Sequence, residues 1–376
     1  MSTASIARIE EHFKELNDPR RREVTYPLIN IVVMALCAVL SGADDFVSIA
    51  AWAREKKQWL ATFLEMSAGV PSHDRFNAVF GALKPAEFEK CLLSWITALH
   101  EITEGQVIAI DGKTLRRSFD AASSKAPLHM VSAWATANHV SLGQVATDAK
   151  SHEITAIPKL LEILEIKGCL VTIDAMGCQR QIAEQIVAQG ADYVLAVKDN
   201  QPKLCAAIRD FFTEQLEDDL ATVAHHRHET HERGHGRQDD RYYYLAKLPE
   251  DFPLAAKWAG LKAIGMACRV TEHDDGTLSD DVRYYIASRY LSGEKFAAAV
   301  RGHWGIENSL HWQLDVTFGE DQCRIRKGHA DANFSLLRRT SLSLLKNNKT
   351  AKLGVKNKRL SAAWSDDYRL QVLCGA

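Results

Sequence analysis

The chain has no CxxC pair, no apolar run of bilayer-spanning length and no marked excess of either charge. Its eight cysteines, Cys37, Cys91, Cys169, Cys178, Cys205, Cys268, Cys323 and Cys374, are scattered, most of them inside apolar runs. That is the usage of reduced, buried thiols, and it excludes a disulfide framework or a zinc ribbon. The most apolar stretch is Leu28–Leu40, with Asn30 inside it. A transmembrane helix needs about 20 apolar residues, so this stretch reads as a buried helix and no membrane partner is expected. The opening residues MSTASIARIEEHF lack a basic segment followed by an apolar block, so no signal peptide is expected and the location reads as cytoplasmic. A net charge of −2 means that any nucleic-acid site must be a local patch. There is no internal repeat and no low-complexity tract.

At 376 residues, 46% hydrophobic and 25% charged, the chain can form two or three compact units with sizeable cores. Helical periodicity covers Ile6–Leu16, Leu28–Leu40, Val47–Phe63 and Pro85–Leu99, with breaks at Asp18-Pro19, Ser41-Gly42-Ala43 and Gly69–Ser72. Pro71-Ser72-His73-Asp74 before Arg75-Phe76 reads as a capped helix start. The cluster Pro19-Arg20-Arg21-Arg22 suits either a phosphate contact or a solvated helix end.

From Gly105 the period changes. Val107–Ile110 reads as a buried strand ending in Asp111-Gly112-Lys113. His129–Val140 and Ser141–Thr147 read as two strands, followed by a helix over about 154–164. Cys169–Ile173 is again an apolar strand, and again it ends in an aspartate and small residues, Asp174-Ala175-Met176-Gly177. A helix at Gln179–Ala188, a strand at Tyr193–Val197 and a helix at Pro202–Phe212 complete an α/β alternation with a parallel component. Residues of about 220–290 interrupt it with the strand-like segments Arg241–Leu245, Ala263–Val270 and Arg283–Ile286, a β-rich insertion. A long helix over Ala330–Leu345 and a basic tail close the chain.

The stretch Arg301–Val316 follows the insertion. At 100° per residue, Ile306, Leu310 and Leu314 form one apolar stripe, with Glu307 at its margin and His311 and Asp315 on an adjoining polar row. A carboxylate at such a boundary is either held by packing for use as a ligand or simply solvated. Two strand-end aspartates, Asp111 and Asp174, change the balance. Three carboxylates suffice for two Mg²⁺ ions, with Mn²⁺ as a substitute, and two ions about 3.5–4 Å apart can cut a phosphodiester.

Four blocks then resemble one family. AIDGK at Ala109–Lys113, TIDAMGCQ at Thr172–Gln179, YVLAVKDNQ at Tyr193–Gln201 and HWGIENSLHWQLDVTFGEDQ at His303–Gln322 are similar, in this order, to blocks of the DDE insertion-sequence transposases, in the group of H-repeat-associated proteins. With PSHDRF at Pro71–Phe76, the resemblance spans about residues 15–350. It implies an α/β fold: a ribonuclease H-like catalytic core with a β-rich insertion, plus an N-terminal all-helical domain. The implied divisions are a DNA-binding domain over 1–100, a catalytic domain over 101–347 and a basic tail over 348–376. Residue by residue it puts Asp111, Asp174 and Glu307 in the catalytic, metal-holding roles. The implied partner is double-stranded DNA, at inverted repeats and at a target site, engaged by a homodimer in the nucleoid. The alternatives are a metal-dependent nuclease that cuts without joining and a DNA-binding relic that no longer reacts.

Related transposases carry Tyr, Arg and Lys around the glutamate to grip the DNA end, whereas Val300, His303 and Leu314 stand at those positions here. The expected DNA contacts therefore shift to Arg301, His303 and His311, to Arg116, Arg117 and Lys198, and to Arg324, Arg326, Lys327, Arg338, Arg339, Lys346, Lys349 and Lys352. Trp304 and Trp312 read as core rather than as stacking platforms. The run His225–His235 is not HExxH, and a polar hairpin edge is a better reading of it than a zinc hydrolase site.

Overall fold

The computed structural model describes residues 4–21, 24–99, 106–115, 128–147, 153–234 and 236–375. The N-terminal helices are α1 (Ala4–Phe13), α2 (Leu28–Leu40), α3 (Phe46–Glu55), α4 (Lys57–Leu60), α5 (His73–Ala82) and α6 (Pro85–Leu99). Strands β1 (Val107–Leu115), β2 (Leu128–Ala135) and β3 (Val140–Thr147) follow, then α7 (Glu153–Ile163), β4 (Leu170–Ile173), α8 (Arg180–Ala188), β5 (Asp192–Val197) and α9 (Pro202–Glu217). Four strands come next: β6 (His225–Gly234), β7 (Arg237–Lys247), β8 (Ala263–His273) and β9 (Leu278–Ala287). The chain closes with α10 (Gly293–Ile306), a π-helical turn over Glu307–His311, α11 (Trp312–Val316), α12 (Ala330–Asn347), α13 (Val355–Trp364) and α14 (Asp366–Leu373).

Several boundaries differ from the sequence reading. The helix expected over Val47–Phe63 breaks at Lys56 into α3 and α4. The strand expected to reach Val140 stops at Ala135, because Thr136–His139 form the turn and His139 takes a positive φ of 52°. The insertion contributes four long strands rather than three short ones. No described helix is long and apolar enough to cross a membrane.

Packing divides the chain into two compact units. One comprises residues 1–102, 112–150 and 307–376, and the other residues 103–111 and 151–306. This cuts across the expected segments 1–100, 101–347 and 348–376. The reason in the first unit is α12, in which every residue from Ala330 to Leu345 is buried. A helix with no wet face needs neighbours all round, and α2, α5, α6, β3, α13 and α14 supply them. Some of its polar residues find individual partners. The Asn333 amide donates to the Phe80 and Leu83 carbonyls (2.7 and 2.9 Å), closing the end of α5. The Arg338 guanidinium lies 4.4 Å from the Phe334 ring centroid and donates to the Asp44 carbonyl.

The basic C-terminal segment folds into this unit as well. Lys358, on α13, donates to the Leu345 and Asn348 carbonyls (3.0 and 2.6 Å), a cation set at the C-terminal end of α12. Arg359 donates to the carbonyls of Val39, Thr317 and Ala43 and to the Asp44 carboxylate, with its guanidinium 4.3 Å from the Phe318 ring centroid. Arg20 is likewise used internally, on Asp18 and the Tyr26 carbonyl.

In the second unit, the sheet runs β1-β4-β5-β9-β8-β7-β6. β1, β4 and β5 are parallel, and the remaining pairs are antiparallel. The insertion therefore continues the sheet instead of forming a separate body. α10 covers one face through Phe296, Ala297, Ala299 and Val300. Gly265 makes room for it: a Cβ there would meet the Phe296 ring at 2.5 Å. The histidine-rich run is the edge strand β6, hydrogen-bonded along its length to β7.

Arg359→Ala removes a nearly buried cation and leaves three carbonyls short of a donor. We expect a loss of about 3 kcal/mol, read as a lower urea midpoint. Lys349→Ala, at an exposed position of the same segment, should stay within about 0.5 kcal/mol of the parent.

Candidate active site

The register of β1 and β4 brings two acids together. Val107–Ile110 pair in parallel with Leu170–Ile173, so Asp111 and Asp174 are the next residues on neighbouring strands. Neighbouring strands lie about 4.8 Å apart, and the carboxyl ends of parallel strands are where α/β sheets take ligands. Asp174 also caps the 3-10 turn Ala175–Gly177, its Oδ1 accepting from the Met176 and Gly177 amides at 3.1 and 3.3 Å. The turn has no slack, because a Cβ at Gly177 would stand 2.2 Å from Ile173 and 2.9 Å from Ile157.

The YVLAVKDNQ block braces this turn from β5. The Asn200 amide donates to the Ala175 carbonyl, and that of Gln201 to the Cys178 carbonyl at 3.0 Å. Lys198 is exposed at the end of β5, near enough for its charge to act on Asp174. Burial raises the Asp174 carboxyl above its ordinary range, partly offset by the Gly177 amide and Lys198, while Glu153 raises it further. A cation at this position would relieve that penalty, and a hard-oxygen donor pair suits Mg²⁺ or Mn²⁺. The two aspartates thus fit as a partial metal site. Among the described residues, no group of three or more His, Cys, Asp or Glu side chains forms a complete one. Glu307 is exposed and opens the π-helical turn that follows α10; Ile306, Leu310 and Leu314 are fully buried, as their stripe predicts. Such turns recur at functional positions.

Several expected DNA contacts are occupied elsewhere. Arg301 pairs with Glu232 at 2.6 Å. His303 Nδ1 stands 3.3 Å from Thr172 Oγ1, and burial, with Arg283 nearby, takes its imidazole down to about 4. His311 is taken down to about 3 by burial, then by Arg339 and Lys113. Both rings are neutral at physiological pH and cannot act as phosphate-binding cations. Arg338 and Arg339 are each 1% exposed and serve the core of their unit. Lys346 lies half-buried, 5.7 Å from the Trp134 ring centroid, with its ammonium pushed down to about 8 by burial. Lys198, Arg324, Lys327, Lys349 and Lys352 are exposed and Arg326 is half-buried. Arg116 and Arg117 lie outside the described residues. Trp304 and Trp312 are surface residues, 39% and 53% exposed, rather than core, and Arg283 sits 4.1 Å from the Trp304 ring centroid.

A buried ion cluster escaped the sequence reading. Lys113 of AIDGK pairs with Asp315 and, at 3.1 Å, with Glu320 of TFGEDQ. Glu320 also accepts from Ser335 at 2.8 Å, and Ser335 accepts from Arg339. Burial would raise the Glu320 carboxyl, but Lys113, Arg339 and Arg338 hold it at about 2. The clue was that both blocks carry charge with no assigned task. Glu320 is therefore committed to this cluster.

The depressed His303 value has a pH consequence. Its neutral form is favoured by folding, so stability is full above about 6.5 and declines as pH falls from 6.5 towards 4. At pH 5 the contribution lost relative to pH 7 is about 2 kcal/mol. His303→Asn should flatten that part of a plot of urea midpoint against pH; an unchanged slope would place the acid sensitivity elsewhere.

Residues 102–344 match the family described as "Transposase DDE domain", and residues 10–96 the one described as "DDE_Tnp_1-associated". The chain is 37% identical over 376 residues, 99% of each sequence, to the Escherichia coli K12 protein named "H repeat-associated putative transposase YhhI". It is 40% identical over 373 residues, 98% of this chain and 95% of the relative, to "Putative transposase YncI" of Escherichia coli O157:H7. Among solved structures, the synaptic complex of piggyBac transposase with hairpin DNA aligns over 98% of this chain and 77% of its own at TM-score 0.42 and 9% identity, too weak a likeness to bear on the fold.

Proposed function

This chain belongs to the DDE transposase family, and we propose that Asp111, Asp174 and Glu307 are its catalytic carboxylates, on a ribonuclease H-like core. The observation that carries this reading is the placement of Asp111 and Asp174 immediately after the last paired residues, Ile110 and Ile173, of neighbouring parallel strands. When bound, a pair of Mg²⁺ or Mn²⁺ ions supplies the charge that activates an attacking oxygen and stabilises a leaving one. The residues of the chain do the rest. β1 and β4 hold the two aspartates in register, while the Met176 and Gly177 amides fix Asp174 through Oδ1. Lys198 adds a positive charge beside Asp174 and suits a phosphate contact. Glu307 is the proposed third carboxylate.

The substrate is double-stranded DNA. The reaction is cleavage at terminal inverted repeats, followed by attack of the freed 3′-hydroxyl on target DNA, by a homodimer assembled on the DNA. A nuclease that cuts without joining would lack only the second step, so joined products are the discriminating readout.

Asp111→Asn, Asp174→Asn and Glu307→Gln keep side-chain shape and remove the charge that holds a divalent ion. Each should lower strand cleavage by at least ~10³-fold while DNA affinity changes only a few-fold, measured by cleavage and gel-shift assays in Mg²⁺ and in Mn²⁺. Cleavage that survives Glu307→Gln would move the third ligand elsewhere. Joint loss of binding and cleavage would indicate a folding role.

A further inference from the structure

The first unit contains a groove whose lining includes none of the carboxylates proposed as catalytic. It has a volume of about 1010 Å³, at the top of the roughly 300–1,000 Å³ range of small-molecule pockets. One wall comes from the N-terminal helices: Phe46 and Val47 at the start of α3, and His73 and Asn77 on α5. The opposite wall is the irregular segment 319–328, which carries Arg324, Arg326 and Lys327 within four residues.

That segment is rigidly placed. The His329 amide donates to the Gly81 carbonyl at 3.0 Å, and a Cβ at Gly328 would stand 2.3 Å from the same oxygen. A Cβ at Gly81 would in turn meet the Lys327 carbonyl at 3.0 Å. The backbone of 327–329 therefore lies directly on α5, and the cations beside it have a fixed base.

The groove also contains two acids, of which Asp44 is neutralised by an arginine and Asp45 keeps its charge. Asp44 pairs with Arg359 at 2.6 Å, and the Asp45 carboxylate accepts from the Ser48 amide at 2.7 Å as the cap of α3. Arg324 and Lys327 are exposed, while Val47, 58% exposed, offers an apolar patch on the facing wall. The balance of unengaged charge is positive. A polar groove of this size, with cations along one lip, suits an extended polyanion better than a compact ligand.

We propose that this groove seats the sugar–phosphate backbone of duplex DNA, with Arg324 and Lys327 on the phosphates and α3 and α5 as the facing wall. The proposal rests on the reading of the chain as a DNA-acting enzyme and deepens it. It assigns DNA positioning to residues other than the aspartates, and it gives the N-terminal helices a defined part in that task. Phosphate contacts of this kind position DNA without reading its sequence.

The test uses the full chain and a fluorescein-labelled duplex of random sequence. Arg324→Glu/Lys327→Glu alters two exposed residues, and an unchanged thermal midpoint would confirm that the fold is intact. The double variant should bind about tenfold or more weakly at fixed salt, with the slope of log K against log salt shallower by about 2, one unit per lost phosphate contact. Val47→Trp, which narrows the groove without changing charge, should also weaken binding. Cys323 lines the groove, so saturating DNA should slow its maleimide labelling relative to Cys205 on α9. Unchanged affinity and slope in the double variant, or unprotected Cys323, would overturn the groove assignment. If these appeared while wild-type protein still bound and cut DNA, the transposase reading would stand. A wild-type chain that bound no duplex at all would sink that reading itself.

Discussion

A guanidinium cannot be left uncompensated inside a protein, and α12 carries two of them on a helix with no exposed face. Glu320 answers both. It is fully buried, holds its charge down to about pH 2, and is tied to the helix through Ser335 and to β1 through Lys113. Through these partners the segment after Glu307 and the end of β1 are tied to α12, which packs among the N-terminal helices. Glu89 shows the contrast. It too is buried, but it has one backbone amide from Gln144 and the more remote charge of Arg339, and its carboxyl is pushed up to about 8. Where Glu320 stays ionised, Glu89 is protonated at neutral pH.

The three carboxylates proposed as catalytic are held by different means. Asp111 is placed by the register of β1 on β4, while Asp174 is fixed by register, by two backbone amides and by a turn so tight that only glycine fits at 177. The Asn200 and Gln201 side chains brace that turn from the next strand. In TIDAMGCQ and YVLAVKDNQ, Met176, Gly177, Asn200 and Gln201 therefore hold the aspartate's turn in place. Glu307 differs again. It sits on a π-helical turn whose apolar neighbours are buried and whose own side chain is exposed.

Much of this was legible from residue pattern. The α2 boundaries, the position of Asp174 just past β4 and the stripe of Ile306, Leu310 and Leu314 follow from periodicity, since burial of one face leaves a period in the chain. Two features did not: β1 runs on past Asp111 to Leu115, and the polar run His225–Gly234 is a full strand. The misjudged residues were those whose role depends on partners far away in sequence. Arg338 and Arg339 sit in a basic stretch that reads as surface, yet Glu320 and the carbonyl of Asp44 take them inside. His303 and His311 look like cations and are neutral, because burial is invisible in composition. Trp304 and Trp312 look like core and are exposed, because aromatic spacing does not reveal which face of a helix is covered.

Local structure was therefore decided by the sequence itself: which segments form helices and strands, and which acidic residues stand on them. That information is carried by short-range sterics and by the two-residue and 3.6-residue periods of the backbone. Tertiary structure alone decided which charges remain on the surface to meet DNA. A side chain's charge state and accessibility depend on partners such as Lys113 and Glu320, 207 residues apart in the chain, and only folding brings such partners within reach.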